Sequence, residues 1–220
     1  LKVGLTATAL AALVLTAGAA SAQNFSIGAQ AGTTGLGVEA RYKLSDRFVL
    51  RGALDTFKYD VDVEGDDIDY DGEIDFGTAG AFVDYHPGGG SFFLSAGAYL
   101  GKREISISGR GQPGTTVEVG DEVYDADDVG TITGTADFGD LAPFLGLGWN
   151  TSFTSDGAIG FKFLVGAAFG DDADVRLARS GGVASPEIDA ELAREEQELQ
   201  DEVDGVGIYP VVQIGVSYRF

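Results

Sequence analysis

The 220-residue chain contains no cysteine, which excludes a lipid-modified N-terminal cysteine, a thiolate metal site and any disulfide framework. It has one histidine, His86, so imidazole acid–base chemistry has a single candidate. Basic residues are few, 14 against 35 acidic, and supply no basic surface for nucleic acid. No cofactor fingerprint or phosphate-binding glycine loop is found. Also missing is any apolar run of the ~20 residues that a membrane helix needs. A shorter run, Ala7 to Val14, follows Lys2 and precedes Ala20-Ser21-Ala22, small residues of the kind a signal peptidase requires. Residues 1–22 are therefore expected to be a cleaved signal peptide rather than an anchor. Residues 23–220 then form one exported domain.

What the chain has is alternation. Ile208, Pro210, Val212, Ile214, Val216, Tyr218 and Phe220 fall on one face, with Tyr209, Gln213, Ser217 and Arg219 between them. A strand facing lipid on one side and a filled interior on the other reads this way. Similar segments recur at Phe25 to Ala31, Leu36 to Leu44, Phe48 to Tyr59, Phe76 to Tyr85, Phe92 to Arg103, Leu141 to Phe153 and Ile159 to Phe169. Backbone polar groups have no partners in lipid, so strands that cross a membrane must close into a barrel. The expected fold is all-β, an eight-stranded antiparallel transmembrane β-barrel. Connections after strands two, four and six are short, and those after three, five and seven long. A ten-strand version would use Thr116 to Thr133 as a further hairpin. In the last long connection, Ser185 as N-cap and Pro186 at the first position predict one helix with an Ile188, Leu192, Leu199, Val203 stripe that lies over the mouth and packs on another loop.

The acids cluster. Residues 60–75, 109–140 and 171–205 hold 29 of the 35 acidic residues and only Arg110, Arg176, Arg179 and Arg194 as bases. Such a field gathers cations and repels anions. Three readings compete: solubility beside a cation-bridged outer surface, concentration of small cationic solutes above a narrow pore, and specific binding of Ca2+ or Mg2+. For the last, Asp67, Asp69, Asp71 and Asp75, with Gly72 and Ile74, follow part of a calcium-loop pattern, but Thr78 stands where a bidentate Glu is needed. Inward parity collects Glu39, Arg41, Lys43, Arg51, Asp55, Asp84, Tyr99, Arg103, Lys162, Gln213 and Arg219 as lumen residues. Their charges should pair and fill the bore. Inward Gly37, Gly97, Gly101, Gly146, Gly148, Gly160, Gly166 and Gly215 leave space that water could occupy. His86 beside Pro87 falls on the periplasmic side within reach of Asp84, the wrong end for a lipid-cleaving site.

The segments Tyr70-Asp71-Gly72-Glu73, Gly80 to Pro87, Ala142 to Trp149, and Tyr209-Pro210-Val211-Val212 to Phe220 resemble small proteobacterial outer-membrane β-barrel proteins, the superfamily of the OmpA transmembrane domain, OmpX, OmpW and the opacity proteins. The resemblance implies an outer-membrane location and partnership with membrane lipid, periplasmic chaperones and the barrel assembly machinery. It also implies that Tyr218 and Phe220 form the assembly signal. The superfamily holds pores, adhesins and enzymes, so it does not fix an activity. The expectation is a monomeric, non-enzymatic envelope protein. A narrow channel for small cationic solutes is the main alternative, and a lipid-directed barrel enzyme the second.

Overall fold

The computed structural model describes residues 22–220 other than 66, 121, 204 and 206. The expected signal peptide thus lies outside the described residues except for Ala22. The chain forms β1 (Phe25–Gly32), β2 (Gly35–Lys43), β3 (Phe48–Glu64), β4 (Ile68–Tyr85), β5 (Phe92–Gly111), β6 (Thr116–Val119), β7 (Glu122–Asp125), α1 (Ala126–Val129), β8 (Thr131–Asp137), β9 (Leu141–Asn150), β10 (Ile159–Phe169), β11 (Asp174–Ser180), α2 (Pro186–Val203) and β12 (Ile208–Arg219).

Eight strands pair antiparallel in a closed ring, β1-β2-β3-β4-β5-β9-β10-β12 and back to β1. The ends of the ring meet where the Phe220 amide donates to the Phe25 carbonyl at 3.3 Å. We call this end lower. Alternation places Val38, Leu50, Leu94, Leu147, Phe163 and Ile214 on the outer face, while Glu39, Arg51, Phe93, Phe144 and Leu164 are buried inside. Phe153, expected on the sixth strand, instead lies in the turn that follows β9. The tight Gly32-to-Gly35 hairpin forms because Gly35 adopts φ 96° and Thr33 is tied to Val212 by its amide and hydroxyl.

The walls differ in height. The last β2–β3 pair is Leu36 with Thr56, and residues 57–64 of β3 run on for ~26 Å, paired throughout with β4. The acidic stretch expected to be a long loop is therefore a two-stranded extension closed by a short turn. Its alternation was in the sequence: Tyr59, Val61 and Val63 share the inner face, Asp60, Asp62 and Glu64 the outer. β5 forks. Its residues Phe92–Leu100 pair with β9, and Glu104–Arg110 with β8. Gly101 sits at the fork with φ 127°, where a Cβ would lie 2.3 Å from the Gly77 carbonyl oxygen, so only glycine fits. β11 adds to β8, making ten strands in the sheet although only eight are in the ring. The Thr116 to Thr133 segment is not a pair of ring strands; it supplies β6, β7 and α1 and leads into β8.

α2 starts as expected, with the Ser185 hydroxyl accepting from the Ile188 amide at 3.4 Å. Ile188 and Leu192 are buried with Val117, Val119, Ala126 and Val129, which form a second small core above the ring. The helix runs along the outer edge of β11 rather than over the bore. Glu196 accepts from the Leu177 amide at 2.7 Å and Gln200 from the Val175 amide at 2.9 Å. Edge amides that would otherwise recruit another strand are thereby covered. In hydrogen exchange, Glu196→Ala with Gln200→Ala should speed exchange of the Val175 and Leu177 amides while leaving the β1–β12 amides unchanged; no change at β11 would remove α2 as an edge cover.

Candidate functional site in the bore and on the extension

Inside the ring the inward charges form one connected network. Asp84 accepts from Arg51 Nε at 3.0 Å and from Ser95 Oγ at 2.7 Å, and lies 3.7 Å from Arg41 Nη1. Arg41 Nε donates to Glu39 at 2.8 Å, and Lys162 Nζ donates to the other Glu39 oxygen at 2.7 Å. Lys162 also donates to Gln30 and, at 3.1 Å, to Gln213; Gln30 in turn donates to Asp55 at 2.6 Å. Three cations and three carboxylates are thus joined directly or through Gln30, each at most 5% exposed. Low dielectric makes an isolated charge here very costly, and mutual pairing is what permits burial.

An aromatic cluster packs against this network inside the bore. Phe82, Tyr99 and Phe144 meet edge to face, with centroids 4.9, 5.4 and 5.6 Å apart. Phe82 also carries the Arg51 guanidinium at 4.0 Å from its centroid, a cation–π contact that joins cluster and network. The inward glycines do not leave room for water, contrary to expectation. A Cβ at Gly97 would lie 2.6 Å from Phe82, at Gly146 2.5 Å from Phe144, and at Gly148 2.9 Å from Phe93. The rings occupy the space that the missing side chains release. Voids of about 20 Å³ lie beside Tyr99 and Val211 and beside Arg41 and Asn150, each with room for about one water. Larger voids lie at the rims, about 190 Å³ beside Arg103 and Tyr209 and about 590 Å³ beside Lys43 and Arg219.

The remaining inward residues sit at the rims. Lys43 pairs with Asp46 at 2.9 Å, Arg219 donates to the Ser155 and Gly157 carbonyls at 3.2 Å, and Arg103 donates to the Phe138 and Gly139 carbonyls at 2.9 Å. Polar parity alone overlooked Gln30, Ser95 and the apolar plug, although Phe82, Phe93, Phe144 and Leu164 share that same parity. His86 is buried, its Nδ1–H donates to the Gly90 carbonyl at 2.7 Å, and its ring lies tilted against Phe93 with centroids 5.6 Å apart. It does not reach Asp84, which is held by arginines and Ser95.

The expected calcium loop is corrected. Asp69, Asp71 and Asp75 lie on the outer face of β4, and only Asp67 lies in the turn. Alternate residues of a strand point the same way ~6.6 Å apart, so they do not converge on one ion. Among the described residues no group of three His, Cys, Asp or Glu is placed to hold a metal. Asp75 is instead bridged by Lys58 at 2.9 Å and Lys102 at 3.6 Å. The Lys58 hydrogen bond holds its carboxyl below the ordinary range, so this bridge persists at neutral pH and is lost only as pH falls through that lowered value.

The outer face of the ring carries no charge below Lys58, Asp75 and Lys102. Aromatic pairs gird its lower rim: Phe25 with Phe220, Phe48 with Tyr85, and Phe92 with Trp149, at 6.0, 5.1 and 5.4 Å. From Phe48 to Thr56 the apolar band runs ~27 Å along a strand. No helix among the described residues is long and apolar enough to cross a membrane.

No protein-family model and no curated protein matches the sequence. Solved structures with the same fold include two proteins of one organism. CarO2 of Acinetobacter baumannii aligns with a TM-score of 0.59 and 19% identity over 89% of this chain and 98% of that one. CarO of the same organism gives 0.58 and 21% over 89% and 97%. At these identities the likeness concerns the fold.

Asp84→Ala would take away the carboxylate that Arg51 hydrogen-bonds to and leave Arg41 with Glu39 alone. It should destabilise the folded ring by about 3–5 kcal/mol in urea titration, whereas Lys58→Ala at the solvent-exposed bridge should leave the unfolding midpoint nearly unchanged.

Proposed function

We propose that this protein is an outer-membrane β-barrel with a sealed bore, a non-enzymatic envelope protein whose working surface is the extension above the ring. The observation that carries the reading is the packed middle of the bore: a neutralised charge network set against Phe82, Tyr99 and Phe144, with water-sized voids beside Tyr99 and beside Arg41. The uncharged outer band matches a hydrocarbon layer in kind and, allowing for strand tilt, in height. Aromatic side chains at its lower rim suit a membrane–water interface. The likeness to the CarO fold agrees with this reading.

Within it, outer-membrane lipid is the solvent of the band. Tyr218 and Phe220, exposed at the lower rim and 5.3 Å apart, serve as the recognition signal for the assembly machinery, reached with the help of periplasmic chaperones. The barrel works as a monomer. Passage of small cationic solutes is the weaker reading, because Arg41, Arg51 and Lys162 stand in the bore together with the aromatic cluster. Catalysis is weaker still: His86 is buried at the lower end without a hydroxyl or carboxylate partner.

Single-channel recording of the refolded protein in planar bilayers tests the reading. The folded wild type should be silent, and Phe82→Ala with Phe144→Ala should introduce small openings by removing ring volume from the bore. Stable cation-selective openings of the wild type would replace this reading with uptake. Lipid exposure of the band is tested by folding into vesicles: Val212→Arg should cost about 2–4 kcal/mol near the midplane and Ile208→Arg about 0–1 near the upper rim. Equal costs would mean that the band does not face lipid.

A further inference from the structure

Above the ring the inner face of the extension is apolar, and only part of it is covered. Between this face and the cap made by β6, β7, α1 and α2 lies a cavity of about 400 Å³. Ile107, Ile132 and Leu177 line it from the sheet, and Val117, Val129 and Leu199 from the cap. The volume falls within the range of small-molecule sites, ~300–1,000 Å³. The second core does not fill it: Ile107 remains 54% exposed and Tyr70 45%. Apolar surface left open inside an otherwise covered sheet face is a mark of a binding site.

The charges around the cavity select its ligand. Among the described residues no lysine or arginine lines it, and the one acid in its lining is Glu118, which alternates with the buried Val117 and Val119 and stands at the open, exposed rim. The nearby bases are engaged elsewhere, Arg179 with Asp189 at 2.6 Å and Arg194 with Glu191 at 2.8 Å, so Glu118 has no ion pair among the described residues. The other face of the same sheet carries Asp69, Asp71 and Glu73. A field of this sign attracts cations and repels carboxylates such as fatty-acid anions.

We propose that the cavity binds a small amphipathic cation, with its apolar body against Ile107, Ile132 and Leu177 and its ammonium group at Glu118. The site lies outside the bore. It concentrates such molecules at the upper end of the protein whether or not the bore conducts, so the outcome of the binding test is independent of the conductance test.

Three compounds with one apolar body separate charge from shape: 1-aminoadamantane, 1-adamantanol and adamantane-1-carboxylate. Residues 23–220, refolded into lipid nanodiscs, are titrated with each and followed by saturation-transfer NMR, with empty nanodiscs as the background. The amine should bind most tightly, the alcohol more weakly and the carboxylate least. Ile107→Trp, which fills the cavity from a partly exposed position, should abolish binding of all three. Ile107→Gln should weaken the amine about tenfold. Glu118→Gln should bring the amine to within about twofold of the alcohol at low salt, and added salt should do the same to the wild type. Folding of each variant is checked by the β-sheet circular dichroism signal and by retained heat-modifiable migration. No binding above the empty-nanodisc background by folded wild type overturns the proposal. So does equal binding by folded Ile107→Trp, or a preference for the carboxylate.

Discussion

Closure of the sheet is the constraint from which the rest follows. Each of the eight ring strands finds a partner on both sides, and the last gap is shut by β1 with β12 and by β5 with β9. With its backbone groups paired inside the ring, the band from Phe48 to Thr56 can carry apolar side chains outward without presenting open amides or carbonyls. A ring of eight strands leaves an interior wide enough only for side chains. That narrowness forces the inward charges together, and it is why Glu39, Arg41, Arg51, Asp84 and Lys162 form one network rather than a lining around water.

The glycines and the aromatics of the bore are two halves of one packing solution. Phe144 spreads over Gly146 and Gly166, Phe82 over Gly97, and Phe93 over Gly148. Each large ring stands where neighbouring strands contribute no side chain, as close packing in a small cylinder requires. The cation–π contact between Arg51 and Phe82 then ties this apolar cluster to the charged network beside it. A substitution at either glycine or ring would be felt in both.

Above the ring the same alternation serves a different purpose. β3, β4 and β5 keep their parity as they leave the apolar band, so the inner apolar face and the outer acidic face are continuations of the lumen-facing and band-facing rows. The change from apolar to charged on the outer row falls at Lys58, Asp75 and Lys102, whose bridges mark the upper limit of the band. On the inner row the apolar character persists where no opposite wall remains to pack against it. β6, β7, α1 and α2 cover part of that surface and leave the cavity beside Ile107.

Period-two alternation in the sequence determined the strand positions, the face on which each residue falls, the inward polar set and the uncharged band, because in a strand parity alone assigns the side. Ser185 and Pro186 likewise marked the start of α2, since capping is local chemistry. Other features were decided only by the tertiary structure. The acidic residues 60–75 read as a loop from composition, yet pairing with a neighbouring strand turns them into β3 and β4, and this disperses Asp69, Asp71 and Asp75 along a face instead of around an ion. Whether inward glycines meant water or aromatic rings depended on which residues stand opposite across the ring, a relation set by register and closure. The fork of β5 between β8 and β9, the place of α2 along the edge of β11, and the cavity beneath the cap arise from contacts between segments far apart in the chain, which no local pattern encodes.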